Sequence, residues 1–81
     1  MEKTEITNKL TGVFRKILNK DSLVLTGELT ANDVEGWDSL SHMLLITEIE
    51  NTFSIKFKLK ELNKMKNVGD MIDLIMSKIQ Y

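Results

Sequence analysis

Apolar residues recur at helical spacing in three segments of this chain, and this periodicity restricts the possible folds more than any other feature. We expect a first helix over 5–19 and a last helix that starts after Asn67 as its cap. The second helix should begin at Asp38 or Ser39 and run to about Phe53. The apolar stripes of the first and last helices consist of Ile6, Leu10, Val13, Phe14, Ile17, Leu18, Val68, Met71, Ile72, Ile75 and Ile79.

The segments between these helices have no helical period. Residues 19–38 are rich in turn formers, and we expect a long loop anchored by its few apolar residues. LKEL at 59–62 is suited to one short helical turn, whereas strands at SLVLTG or FSIKF would be short and lack a clear partner. The predicted fold class is all-α, a small four-helix bundle with three longer helices, one short third helix and a long loop between helices 1 and 2.

Length and composition exclude several classes of protein. A chain of 81 residues, 42% apolar and 28% charged, is expected to form a single domain over 1–81, too small to build a deep catalytic cleft easily. Without Cys there is no disulfide, thiolate metal site or cysteine nucleophile, so any thiol chemistry has to come from a cofactor. No apolar run has the length of a membrane span and the N-terminus has no signal-peptide pattern, so we expect a cytoplasmic protein.

The charges are unevenly distributed along the chain. From 21 to 55 there are seven acids and no Lys or Arg, a region termed here the acidic window, and five lysines follow between 56 and 66. The window is either ordinary solvated surface or a region that steers a basic partner. Nucleic-acid binding is not expected, because the net charge is −1 and the lysines are interleaved with a single aromatic residue, Phe57.

The second helix carries apolar residues on two sides. The side suited to the core carries Leu45, Ile46, Ile49 and Phe53. The opposite side, termed the outer face, carries Leu40, Met43, Leu44 and Thr47 beside Ser39. Each large apolar side chain left exposed forgoes about 1.5–3 kcal/mol of burial, so the outer face should be covered by a partner or by loop residues such as Leu29, Val34 or Trp37.

Ser39 has three possible roles at the start of this helix. It could cap the helix, as serine commonly does. It could be a nucleophile with His42 as its base, although no oxyanion hole is evident and helical spacing turns His42 toward the core as a partly buried structural residue. It could also carry a covalent phosphate group, whose charge would be favourable at the positive end of a helix. The spacing alone does not decide the role of Ser39. Trp37 is interpreted as a loop anchor, the alternative being that it shapes a partner contact.

The stretch GWDSLSHMLLITEIENTFSIKF at 36–57 resembles the acyl carrier proteins. The family's Asp-Ser-Leu signature matches Asp38, Ser39 and Leu40, and FSIKF at 53–57 and NVGDMIDLI at 67–75 match its later segments. The resemblance implies that 4′-phosphopantetheine from coenzyme A is attached to Ser39 by a phosphopantetheinyl transferase that recognises Asp38 and Leu40. It also implies that the outer face docks partner enzymes and that the carrier catalyses nothing.

Two departures from this family concern the choice of pathway. Ser41 and Leu44 stand where members for fatty-acid synthesis usually have acids, and Trp37 stands where they have a small or aliphatic residue. We expect a freestanding, monomeric acyl carrier for fatty-acid, polyketide or related biosynthesis, loaded by a ligase or transferase and serving a synthase. The alternatives are an amino-acyl, D-alanyl or peptidyl carrier of a specialised pathway, and a helical interaction module that has lost the cofactor.

Overall fold

The structure is a computed structural model that describes residues 2–79. Its helices are α1 (Lys3–Leu18), α2 (Ser39–Phe53), the short α3 (Leu59–Leu62) and α4 (Val68–Ile79), and a single 3-10 turn, Ala31–Asp33, interrupts the long loop before α2. The predicted all-α four-helix fold is therefore confirmed, and neither SLVLTG nor FSIKF forms a strand.

Local sequence explains where the helices begin and end. α1 and α2 are followed by Asn19 and Ser54, both in the left-handed conformation with φ of 55° and 56°, which turns the chain out of the helix. At the start of α4, the Asn67 Oδ1 accepts a hydrogen bond from the Asp70 backbone N–H at 2.8 Å. Asn67 therefore caps α4 as the sequence predicts.

The core lies between α1, α2 and α4, with α1 packed against each of the other two. The stripes predicted from helical spacing supply most of it, including Leu45, Ile46, Ile49 and Phe53 from α2. The loop contributes as well, because Val34 and Trp37 are buried.

Backbone hydrogen bonds attach the loop to the start of α4. The Val68 N–H donates to the Leu29 carbonyl at 3.0 Å, and the Gly69 N–H donates to the Gly27 carbonyl at 2.9 Å. Two otherwise unpaired amides of the first turn of α4 thereby find acceptors. This attachment holds residues 27–29 of the loop against the start of α4.

Candidate functional site

Asp38 and Ser41 together cap the N-terminus of α2. The Asp38 carboxylate accepts a hydrogen bond from the Ser41 N–H at 2.9 Å, and the Ser41 Oγ accepts one from the Asp38 N–H at 2.8 Å. The Ser41 hydroxyl also donates to the Gly36 carbonyl at 2.7 Å. The hydrogen bonds from Ser41, the backbone one above all, lower the pKa of Asp38, which therefore remains ionised at neutral pH.

Ser39 is the first residue of α2 and its side chain is exposed. Within residues 2–79, no hydrogen bond uses its hydroxyl. The interpretation of Ser39 as the helix cap is therefore wrong, because Asp38 and Ser41 perform that task. Its hydroxyl is left free at the positive end of a helix of 15 residues.

Trp37 anchors the loop in the core. Its side chain is 5% exposed, and its ring meets that of Phe14 edge-on with 5.0 Å between the centroids. The Trp37 Nε1–H donates to the Nδ1 of His42 at 3.1 Å, and the two rings stack at an angle of 19°. The predicted roles of Trp37 as a loop anchor and of His42 as a partly buried structural residue agree with this geometry.

The same hydrogen bond determines where His42 carries its proton. Because the indole N–H can only donate, Nδ1 of His42 must be unprotonated, and the neutral ring carries its proton on Nε2. Burial lowers the pKa of His42, which favours this neutral form. The ring therefore presents Ser39 with no free basic nitrogen, and the structure gives no support to a Ser39–His42 nucleophile pair.

An open groove of about 740 Å³ adjoins Ser39. Its walls come from the 3-10 turn, the first turn of α2, and α3 with the residues that follow it. The groove has both apolar and polar walls, which include Asn32, His42, Met43, Leu59, Asn63 and Lys66.

The outer face of α2 remains exposed. Leu40 is 75% exposed, Met43 and Leu44 are each 52% exposed, and Thr47 is exposed as well. The alternative in which the loop covers this face is wrong, because Val34 and Trp37 turn into the core instead. The face continues across the groove to Leu59, which is 79% exposed and shares the groove with Met43.

The two acids of α2 interact within the chain. Glu48 forms an ion pair with Lys16 at 3.1 Å, and Glu50 accepts the Phe57 N–H at 2.8 Å. The outer face itself is uncharged, although Glu48 directly follows Thr47 and Asp38 stands two residues before Leu40.

Sequence reasoning missed the capping role of Ser41 and the exposure of Leu59. Ser41 stands three residues after Asp38, the spacing of a capping box, but the residue types are not the Ser/Thr and Glu/Gln pair of the usual pattern. Leu59 lies in a helix of four residues, which is too short to show a period.

Comparisons with known proteins fit this geometry. The family model described as "Phosphopantetheine attachment site" matches residues 8–75. The chain is 31% identical to the acyl carrier protein of Thermotoga maritima, with 93% of each chain covered, and 29% identical to that of an Exiguobacterium species, with 98% and 100% covered. Its fold is similar to the solution NMR structure of a holo acyl carrier protein from Geobacter metallireducens, with a TM-score of 0.86, 52% identity, and 90% of this chain and 84% of that chain covered.

The residues present also suit the prosthetic group of this family. A free primary hydroxyl on an exposed helix N-terminus can form a phosphodiester, and the amides and positive dipole of that terminus favour the anion. The adjoining groove is wide and lined by both polar and apolar side chains, as an amphipathic arm requires. The chain belongs to the family of phosphopantetheine-carrying acyl carrier proteins, which are carriers and not enzymes.

Proposed function

We propose that this protein is a carrier domain over 1–81 whose Ser39 holds 4′-phosphopantetheine and presents acyl groups, as thioesters, to biosynthetic enzymes. The observation that carries the proposal is the free, exposed hydroxyl of Ser39 at the start of α2, for which the fold has no other use. The arm supplies the thiol that the chain lacks, since the sequence has no Cys. Tethering raises the effective concentration of the acyl group at the active site of a docked enzyme.

Modification is tested by intact mass after incubation with coenzyme A and a promiscuous phosphopantetheinyl transferase. The unmutated protein should gain the mass of one phosphopantetheinyl group. Ser39→Ala should gain none, and Ser41→Ala, which keeps the Ser39 hydroxyl, is the matched control and should still be modified. No mass gain on the unmutated protein would reject the assignment and leave a cofactor-free interaction module as the explanation.

Docking of partner enzymes is assigned to the outer face, with Asp38 and Leu40 recognised by the transferase. Exposed apolar side chains beside the attachment serine support this assignment, because a patch that the fold leaves uncovered is suited to a partner. Leu44→Gln should weaken binding to the enzyme that uses the carrier. Val24→Gln is the matched control, because Val24 is a 68% exposed apolar residue outside the outer face. Equal affinities for the two variants would contradict the assignment.

The cargo is proposed to be an acyl intermediate of fatty-acid, polyketide or related biosynthesis. The uncharged outer face, together with Ser41 and Leu44 at the two positions where carriers for fatty-acid synthesis usually have acids, favours a dedicated pathway. An amino-acyl, D-alanyl or peptidyl carrier is the second candidate. Intact mass of the carrier isolated from its own cells, compared before and after thioester cleavage by hydroxylamine, separates the two. If the mass lost on cleavage matches an amino-acyl or peptidyl group, the amino-acyl assignment replaces the acyl one.

A further inference from the structure

His42 has one ring nitrogen that the fold does not use. Nδ1 accepts the Trp37 N–H, which leaves the proton on Nε2. No hydrogen bond within residues 2–79 uses Nε2. Since that part of the chain has no fully buried side-chain nitrogen or oxygen without a partner, Nε2 is at least partly accessible to solvent. His42 therefore offers a directed N–H donor at the surface.

His42 and Ser39 lie close together at the start of α2. The two residues are three apart on α2, a spacing that places their side chains next to each other, and both line the same groove. Stacking on Trp37 and the 3.1 Å hydrogen bond hold the imidazole ring in one orientation. The donor is therefore preorganised before any group is attached to Ser39.

A hydrogen-bond donor at this position would stabilise the negative charges around a modified Ser39. Asp38 is exposed and ionised directly before Ser39, and its pKa is lowered by the hydrogen bonds from Ser41. A phosphodiester on Ser39 would add a second negative charge next to this carboxylate. Lys66 lines the same groove, and the amides of the helix N-terminus offer further compensation.

We propose that His42 is a positioning residue whose Nε2–H donates a hydrogen bond to a phosphodiester oxygen of the group carried on Ser39. Trp37 acts through His42 by keeping the proton on Nε2. The contact directs the arm along the groove wall formed by α2. This inference rests on the proposed attachment at Ser39, and no bond to the prosthetic group is made or broken by His42.

The first test is the pKa of His42 before and after modification, measured from the ring protons by NMR. His42 is the single histidine of the chain, so its signals need no assignment. An adjacent phosphodiester anion favours the charged imidazolium, so the pKa of His42 should rise on modification. The charged side chains that line the groove with His42 are Asp38 and Lys66, and both are present before and after modification. The difference between the two pKa values of His42 therefore reports the attached group.

The second test detects the hydrogen bond from the phosphate side. A phosphodiester has no proton that titrates between pH 5 and 8, so its ³¹P shift should change there only through a neighbouring group. The modified protein should show an inflection at the pH where His42 titrates, and the Nε2–H proton should move downfield on modification. The inflection should be absent in modified His42→Gln, whose helical content is checked by circular dichroism.

The outcomes separate this inference from the proposed function. If no mass gain occurs on the unmutated protein, the attachment to Ser39 fails and this inference fails with it. If the protein is modified but the ³¹P shift is flat, or its inflection persists in His42→Gln, the attachment stands and the role of His42 is overturned. An unchanged pKa of His42 in the modified protein would overturn it in the same way.

Discussion

Ser39 and Ser41 are separated by one residue, yet their hydroxyls have different surroundings. The Ser41 hydroxyl accepts from the Asp38 N–H and donates to the Gly36 carbonyl. The Ser39 hydroxyl is exposed and takes part in no hydrogen bond within residues 2–79. At the scale of single residues, Ser41 therefore caps the start of α2, whereas the hydroxyl of Ser39 remains free.

Alanine substitutions at the two serines should therefore differ in stability. Ser41→Ala should lower the free energy of unfolding by about 1 kcal/mol, since the contribution of a hydrogen bond is of that order. Ser39→Ala should change it by less than about 0.5 kcal/mol, because no interaction is lost. Urea denaturation followed by circular dichroism measures both. A larger loss for Ser39→Ala than for Ser41→Ala would contradict the assignment of the cap.

The partial burial of His42 should make stability depend on pH. Burial lowers the pKa of His42 below its ordinary 6.5, so the unfolded chain binds a proton first as the pH falls. The contribution of neutral His42 is therefore fully present above pH 6.5 and is lost as the pH falls through the folded-state pKa. Urea denaturation between about pH 8 and 5 should show that the free energy of unfolding falls with pH in the unmutated protein and falls less in His42→Gln. Equal pH dependence in both proteins would show that His42 is not its source.

At the scale of elements, the long loop is held by a close backbone contact with α4. The Gly69 N–H donates to the Gly27 carbonyl at 2.9 Å, and a Cβ added to Gly69 would lie 3.1 Å from that same oxygen. A side chain at Gly69 would therefore press on the carbonyl that the loop uses to attach itself to the helix. Gly12 in α1 lacks this constraint, because a Cβ added there would meet no atom within 4 Å.

This contrast predicts opposite effects for two glycine substitutions in helices. Gly12→Ala should raise the free energy of unfolding by up to about 1 kcal/mol, the difference in helix propensity between the two residues. Gly69→Ala should lower the free energy of unfolding by about 1 kcal/mol, because the strain of the added methyl group against the loop outweighs the gain in helix propensity. Thermal and urea denaturation test both variants. Equal stabilisation by the two substitutions would show that the loop moves away without cost.

At the scale of the whole molecule, three helices and part of the loop share one core. Phe14 of α1 is fully buried and meets Trp37 of the loop edge-on, so the core joins the bundle to the segment that leads into α2. A domain of this size has a free energy of unfolding of only about 5–15 kcal/mol. Loss of one large core side chain therefore removes a considerable part of it.

Phe14→Ala should lower the free energy of unfolding by about 3–5 kcal/mol, so that the whole domain unfolds at a lower denaturant concentration. Leu40→Ala is the matched control on the outer face, where 75% exposure limits the change to about 0.5 kcal/mol. Circular dichroism and tryptophan fluorescence should report the same transition for Phe14→Ala, because Trp37 lies in the shared core. Separate transitions by the two probes would show that the loop unfolds independently of the helices.

The sequence by itself determined the helices, the Asn67 cap of α4 and the stripes that form the core, since these depend on residues within a few positions of each other. It also identified the outer face of α2 and, through the Asp38-Ser39-Leu40 motif, the family. The tertiary structure decided that Trp37 turns inward rather than over the outer face, because its contact with Phe14 joins residues far apart in the chain. It likewise decided that the Ser41 hydroxyl donates to the Gly36 carbonyl, because this hydrogen bond depends on how the loop arrives at the helix.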